Sequence, residues 1–258
     1  PTALTASNIT TNSADLAWTA GGTETQWNIQ YGAAGFAPGT GTIVNVSTNP
    51  YTLTGLTAAT PYDYWVQAVC GSDSSSYAGP FTFGTSCNAS LAPTNETFDA
   101  GFSVCWSQDG NDDFDWSVDA LGTPSGGTGP SDDFTGGGNY MYTEASLPRA
   151  HGDVATMYSE VIDISGLTNP ELRFLNHMYG TAIGTLSVDL WDASTGTNLA
   201  TVFTHSGDRG NQWNEELILL STTATNVQFS ITAVLDTNAA GQAWPGDIAI
   251  DEFGVREA

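Results

Sequence analysis

Apolar and polar residues alternate along short runs of this chain, as in Asp15-Leu16-Ala17-Trp18, Trp27-Asn28-Ile29-Gln30-Tyr31 and Leu186-Ser187-Val188-Asp189-Leu190. A period of two sends successive side chains to opposite faces of a pleated strand, which suits an antiparallel sheet with one dry and one wet face. The runs end in clusters of Gly, Asn, Asp, Pro, Ser and Thr, the residues that turns require. The fold class is therefore all-β. At 258 residues the chain has room for two domains, each able to bury its own core.

The acidic side chains number 28 against four arginines, Arg149, Arg173, Arg209 and Arg256, with no lysine, for a formal charge of -24. Such a field repels nucleic acid and anionic membranes, so neither is expected as a partner. No run approaches the ~20 apolar residues of a membrane-spanning helix, and no charged leader precedes an apolar stretch. Because Pro1-Thr2-Ala3-Leu4 already reads as part of a strand, a mature fragment or an excised pair of domains is expected.

One stretch carries a sharper signal. Trp106-Ser107-Gln108-Asp109-Gly110-Asn111-Asp112-Asp113-Phe114-Asp115-Trp116 is followed by Gly122-Thr123-Pro124-Ser125 and Thr128-Gly129-Pro130. Further on come Tyr140-Met141-Tyr142-Thr143-Glu144, the run Arg173 to Gly180, and Asp247-Ile248-Ala249-Ile250-Asp251. From about Glu96 to Val255 this series resembles a MAM (meprin/A5/mu) domain. The resemblance implies a two-sheet jelly-roll β-sandwich whose work is recognition.

Residues 1–86 resemble a fibronectin type III β-sandwich. The residues that carry this are the strand ending at Trp18, the strand from Trp27, and Leu56-Thr57-Ala58-Ala59-Thr60-Pro61-Tyr62, which has the spacing of a tyrosine corner. Tyr62, Tyr64, Val66, Ala68 and Cys70 then alternate inward. Residues 87–94 read as a short linker, and 95–258 as the MAM-like domain.

Three cysteines leave a choice of partners. If Cys70 ends the sixth strand and Cys87 follows the seventh, antiparallel pairing separates them by more than the ~7 Å a disulfide tolerates. Cys70 is then free and buried. Cys87 and Cys105 bracket the start of the second domain, where the MAM resemblance also implies a disulfide. Its closure would contribute about 3 kcal/mol in the chain-entropy view, and it points to an oxidising compartment.

Seven acids lie between Asp109 and Asp133 with no basic residue among them. Calcium takes six to eight oxygens from carboxylates, carbonyls and water, and a composite site is expected, since the order of an EF-hand is missing. Asp247 and Asp251 share one strand face, opposite Ile248 and Ile250. The resemblance adds Asp99, Asp113 and Asp115 to the metal set. The alternative is an ordinary acidic loop in which Asp side chains cap turns.

For ligand binding, two rows of alternating residues suggest a hairpin joined by Gly180–Gly184. One strand carries Leu172, Phe174, Asn176 and Met178 against Arg173, Leu175, His177 and Tyr179; the other carries Leu186, Val188 and Leu190 against Ser187, Asp189 and Trp191. That pairing sets Phe174 opposite Leu190 and Arg173 opposite Trp191, so Arg173, His177, Tyr179 and Trp191 would form an aromatic platform with donors, as a sugar ring needs. Equally, Arg173 could simply stack on Trp191, or the row could face the second sheet. Trp244, in Gly241-Gln242-Ala243-Trp244-Pro245-Gly246, is a further aromatic candidate.

His151, His177 and His205 are scattered, and neither HExxH nor GxSxG occurs, so no enzyme is expected. The reading is a non-catalytic extracellular module, secreted or on a cell surface, that binds polysaccharide and is stabilised by calcium. Protein–protein adhesion or a spacer role are the alternatives.

Overall fold

The computed structural model describes all residues from Pro1 to Ala258, as strands joined by turns and loops with no helix. The chain divides into two compact units, Pro1–Asn88 and Ala89–Ala258.

The first unit holds β1 (Thr2–Ser7), β2 (Ser13–Thr19), β3 (Trp27–Ala33), β4 (Thr42–Val46), β5 (Tyr51–Thr54), β6 (Pro61–Cys70), β7 (Asp73–Ser74) and β8 (Ala78–Gly84). One sheet has the order β1-β2-β5; in the other, β4, β3 and β6 run side by side, with β7 and β8 also pairing β6. Alternation supplies the core between them: Leu16 and Trp18 from β2, Trp27 and Ile29 from β3, and Tyr64 and Val66 from β6 are all buried. The Trp18 and Trp27 rings meet edge to face at 5.4 Å. The expected tyrosine corner is present, with the Thr57 N–H donating to the Tyr62 hydroxyl at 3.0 Å.

Cys70 is free, but it is exposed rather than buried. The inward alternation of β6 stops counting at its end: β3 pairs with β6 only as far as Ala68, and Cys70 pairs with Asp73 of the two-residue β7 at the rim. Cys87 and Cys105 are both disulfide-bonded.

The second unit holds β9 (Ser90–Leu91), β10 (Ser107–Gln108), β11 (Ser117–Asp119), β12 (Tyr140–Tyr142), β13 (Val154–Tyr158), β14 (Ile162–Asp163), β15 (Pro170–Met178), β16 (Thr185–Asp192), β17 (Thr197–Ser206), β18 (Asn214–Leu219), β19 (Asn226–Val234) and β20 (Ile248–Glu257). Seven strands form one sheet, in which β19 pairs with β16 and, on its other side, with β13 and β14; β17, β10 and β9 extend it. The other sheet has the order β11-β12-β20-β15-β18. β9 falls within 87–94 and pairs in parallel with β14, so that segment is part of a sheet and not simply a linker.

Both sheets contribute to one core. Phe174, Met178, Ile248, Ile250 and Phe253 meet Met157, Leu186, Val188, Leu190, Phe229 and Ile231 there. Phe253 is the hub, with the rings of Trp106, Phe174 and Phe229 at 5.4, 5.7 and 5.4 Å. Such edge-to-face and tilted contacts add roughly 0.5–1.5 kcal/mol each beyond area burial. The tryptophans of the acidic run anchor it from below: Trp106 and Trp116 are buried, and the Trp116 indole donates to the Ala155 carbonyl at 3.1 Å.

The expected hairpin of β15 with β16 is not formed. β15 pairs with β18 and β20, while β16 pairs with β17 and β19 in the other sheet. Gly180–Gly184 carries the chain from one layer to the other, and backbone closes on both glycines. A Cβ on Gly180 would lie 2.1 Å from the Pro245 carbonyl oxygen, and one on Gly184 1.9 Å from that of Val234. Phe174 and Leu190 thus share the core from opposite sheets, and Arg173 pairs with Leu217 and Gly254 instead of Trp191.

Candidate recognition site

The β13 and β19 ladder, with Val154 opposite Val234, continues past both strands through the Gly152 N–H to Leu235 oxygen and Leu235 N–H to Asp153 oxygen bonds, each 2.9 Å. The loop leading into β13 and the loop leaving β19 therefore emerge side by side. Each is shaped by its own short polar residue. Asp153 accepts the Ala150 N–H at 2.9 Å, and Asn238 accepts those of Ala240 and Gln242 at 2.9 and 3.0 Å. Gly246 packs so closely on the Ala182 carbonyl that a Cβ would fall 2.6 Å from its oxygen, which fixes the end of the second loop.

Between these loops lies a cavity of about 500 Å³, lined by Leu147, Arg149, His151, Gln242 and Trp244 among others. Trp244 is 40% exposed and Leu147 91%. The Arg149 guanidinium lies 4.5 Å from the centroid of the Phe114 ring, and His151 Nδ1 is 3.0 Å from Asp236 Oδ1. An exposed indole beside an aliphatic side chain, ringed by hydrogen-bond donors, offers a flat apolar surface with orienting polar groups.

Of the five residues expected to bind ligand, only Trp244 belongs to this cavity. Arg173 is committed to carboxylates, Nε to Glu215 at 2.7 Å and Nη1 to Glu252 at 3.2 Å. His177 is buried, with Nε2 bonded to Asn211 Oδ1 at 3.1 Å, Nδ1 unpartnered, and its ring edge-on to Trp213; burial holds its pKa below the usual value. Tyr179 lines a separate polar hollow with Thr123, Ser125 and Asn211. Trp191 is half-buried on the outer side of the seven-stranded sheet and donates to Ser230 Oγ at 2.9 Å. The expected platform is therefore dispersed over two sheets. Arg149, His151, Leu147 and Gln242 carried no sequence signal, because nothing in an isolated loop reveals which other loop stands beside it.

The five expected metal ligands are likewise divided. Asp113 caps the edge of β13 by accepting the Val154 N–H at 2.9 Å, and Asp115 is exposed nearby in sequence. Asp247 is fully buried, with Oδ1 accepting the Ala145 N–H; burial pushes its pKa up to about 7. Only Asp99 and Asp251 approach a common segment. Asp99 accepts the Asn139 N–H and Asp251 the Phe134 N–H, both at 3.0 Å, and between them Asp133 accepts the Gly138 N–H at 2.8 Å. Burial raises Asp251 to about 7 as well, and the Glu252 and Asp133 carboxylates add to the rise. Nowhere do three His, Cys, Asp or Glu side chains converge closely enough to hold a metal ion. The five do not form one centre, because they are spread over distinct loops and most of them satisfy backbone N–H groups there.

Comparison with known proteins agrees with the architecture. The family described as MAM domain, meprin/A5/mu, matches residues 97–255, and the fibronectin type III family matches residues 1–83. The MAM domain-containing glycosylphosphatidylinositol anchor protein 2 of Mus musculus is 34% identical over 175 residues, 62% of this chain and 18% of that protein. Neuropilin-1a of Danio rerio is 34% identical over 145 residues, 55% of this chain and 15% of that protein. The chain thus corresponds to less than a fifth of either relative. Among solved structures, the K1 cleaved adhesin domain of Lys-gingipain from Porphyromonas gingivalis W83 aligns with 64% of this chain and 98% of its own, at 16% identity and a TM-score of 0.43.

Proposed function

We propose, for a chain that belongs to the MAM family and carries a fibronectin type III domain ahead of its MAM domain, a non-catalytic recognition role outside the cell, with carbohydrate as the ligand. The observation that carries this reading is the exposed Trp244 indole on the wall of the 500 Å³ cavity, with donors of Arg149, His151 and Gln242 around it. A pyranose ring stacks its C–H face on such an indole while its hydroxyls take the donors, and the volume accommodates one or two rings. Binding of this kind is modest, since ordering costs consume most of the contact energy. Placement at a surface is supported by the kinship to proteins named for a glycosylphosphatidylinositol anchor.

Affinity electrophoresis of the whole chain in gels cast with a series of polysaccharides tests the proposal. Retardation by at least one of them, lost in Trp244→Ala with an unchanged melting temperature, is the expected result. Retardation that survives the substitution moves the site elsewhere, and none in any gel removes the carbohydrate reading.

A second reading, protein adhesion, is favoured by β18. It is an edge strand of the five-stranded sheet and leaves Leu217 50% and Leu219 67% exposed, an apolar row beside an unpaired strand edge. Mass that rises with concentration in sedimentation equilibrium and returns to the monomer value in Leu217→Lys/Leu219→Lys supports self-adhesion.

Calcium is kept as a proposal only for Asp99 and Asp251, the two expected ligands that approach one segment, with Asp133 between them; since no three acids converge there, most of the oxygens would have to come from carbonyls and water. The support is that the Glu252 and Asp133 carboxylates add to the rise of Asp251, a repulsion that a hard cation would relieve.

A further inference from the structure

Three of the four arginines are neutralised within the fold: Arg173 by Glu215 and Glu252, Arg209 by Glu216, and Arg256 by Glu171. Arg149 alone has no carboxylate oxygen within 4.0 Å. In a chain of formal charge -24 this is an unusual use of a cation. Its position is also held: the guanidinium lies over the ring of the buried Phe114, and Arg149 lines the cavity that Trp244 borders.

A single ring 4.5 Å from the guanidinium carbon engages only part of a group that carries five N–H donors. The N–H donors lie in the plane of the group, in the fork that matches a carboxylate with two parallel hydrogen bonds. No side-chain hydrogen bond of Arg149 competes for them, whereas the other cationic candidate in the wall, His151, already faces Asp236. Asp113 and Asp115 flank Phe114 in sequence, so a ligand with many charges would be repelled by its surroundings. A single negative charge placed against Arg149 would not incur that repulsion along its whole length.

Building on the carbohydrate reading of this cavity, we propose that it recognises a terminal acidic sugar, a pyranose bearing one carboxylate. The ring stacks on Trp244 and Leu147, the carboxylate meets the Arg149 guanidinium edge, and Gln242 is placed to take a ring hydroxyl. Selectivity thus falls on one charged unit at a chain end, and densely anionic polymers are disfavoured.

Calorimetric titration of the whole chain with three disaccharides identical except for the terminal ring tests this. The rings are glucuronic acid, its methyl ester, and glucose. The acid should bind about tenfold more tightly than the other two, and the advantage should shrink in high salt. Arg149→Gln should bring all three to the same affinity, Arg149→Lys should restore part of the preference because it keeps the charge without the fork, and Trp244→Ala should weaken all three together. Near-ultraviolet circular dichroism of each variant establishes that Phe114 and its neighbours stay packed. Equal affinities in the parent protein, or a preference that persists in Arg149→Gln, would overturn acidic-sugar recognition while leaving the carbohydrate reading intact. Binding indifferent to Trp244→Ala overturns acidic-sugar recognition in this cavity and moves the carbohydrate site elsewhere, and failure of all three to bind, together with no retardation in any polysaccharide gel, overturns both.

Discussion

Asp247 Oδ1 accepts the backbone N–H of Ala145 at 3.1 Å, while its Oδ2 is buried without a partner. The carboxyl therefore prefers its neutral form in the folded protein, and its pKa rises to about 7. The unfolded chain ionises near the ordinary carboxylate value of about 4, so between about pH 4 and 7 the folded state binds more protons and stability falls as pH rises. Buried His177, with its pKa lowered, acts in the opposite sense, since stability is lost as pH falls below its unfolded value. Asp247→Asn separates the two. The neutral amide still accepts from Ala145, and it should raise the melting temperature of the second unit at pH 7.5 while making no difference at pH 4. Equal melting temperatures at pH 7.5 would count against a penalty at this site.

Arg173 holds Glu252 and Glu215 together on the outer side of the five-stranded sheet. Arg173→Met keeps the packing of the aliphatic stem and leaves the mostly buried Glu252 without its countercharge. The expected cost is about 2 kcal/mol in urea unfolding, with no change in polysaccharide retardation. Loss of binding without loss of stability would return Arg173 to the ligand site.

Cys70, exposed and free, should react with one equivalent of Ellman's reagent in the native protein, while Cys87 and Cys105 stay silent until reduced. A thiol that reacts only in denaturant would mean that Cys70 is covered after all.

Chelation tests the calcium proposal. If a cation joins Asp99 and Asp251, removing it should lower the melting temperature of the second unit and spare the first, by the linkage between binding and folding. Asp99→Asn should blunt the response, and Asp113→Asn should not, because Asp113 caps β13. Identical melting curves in chelator and in calcium, with no metal in elemental analysis, would leave these acids as loop-forming groups alone.

Which side chains face inward was legible from alternation. Ile248 and Ile250 of β20 enter the core, while Asp251, and Asp247 just ahead of the strand, lie outside that cluster. Tyr62 was legible for the same kind of reason, since a fixed local spacing dictates its hydrogen bond. Neighbourhood was not. A period of two says which face Trp191 occupies but not which strand lies beside it, and the crossover at Gly180–Gly184 looks in sequence like the turn of a hairpin. Cys70 shows the related failure at a strand end, where alternation continues but pairing with β3 stops at Ala68. The cavity was the least legible part, because its two walls come from segments far apart in sequence that meet beside the β13–β19 ladder; Trp244 could be singled out as an aromatic in a glycine-flanked loop, whereas Arg149 is conspicuous only once the partners of the other arginines are known.

The two loops around the cavity bury small residues, Ala145 within the core and Ala243 beside the cavity, while Leu147, Arg149, His151, Gln242 and Trp244 stand outside the core. Specificity and folding are thus written in separate sets of side chains. Selection, or a designer, can exchange one ligand for another by rewriting a handful of loop positions, and the sandwich beneath need not be retuned each time.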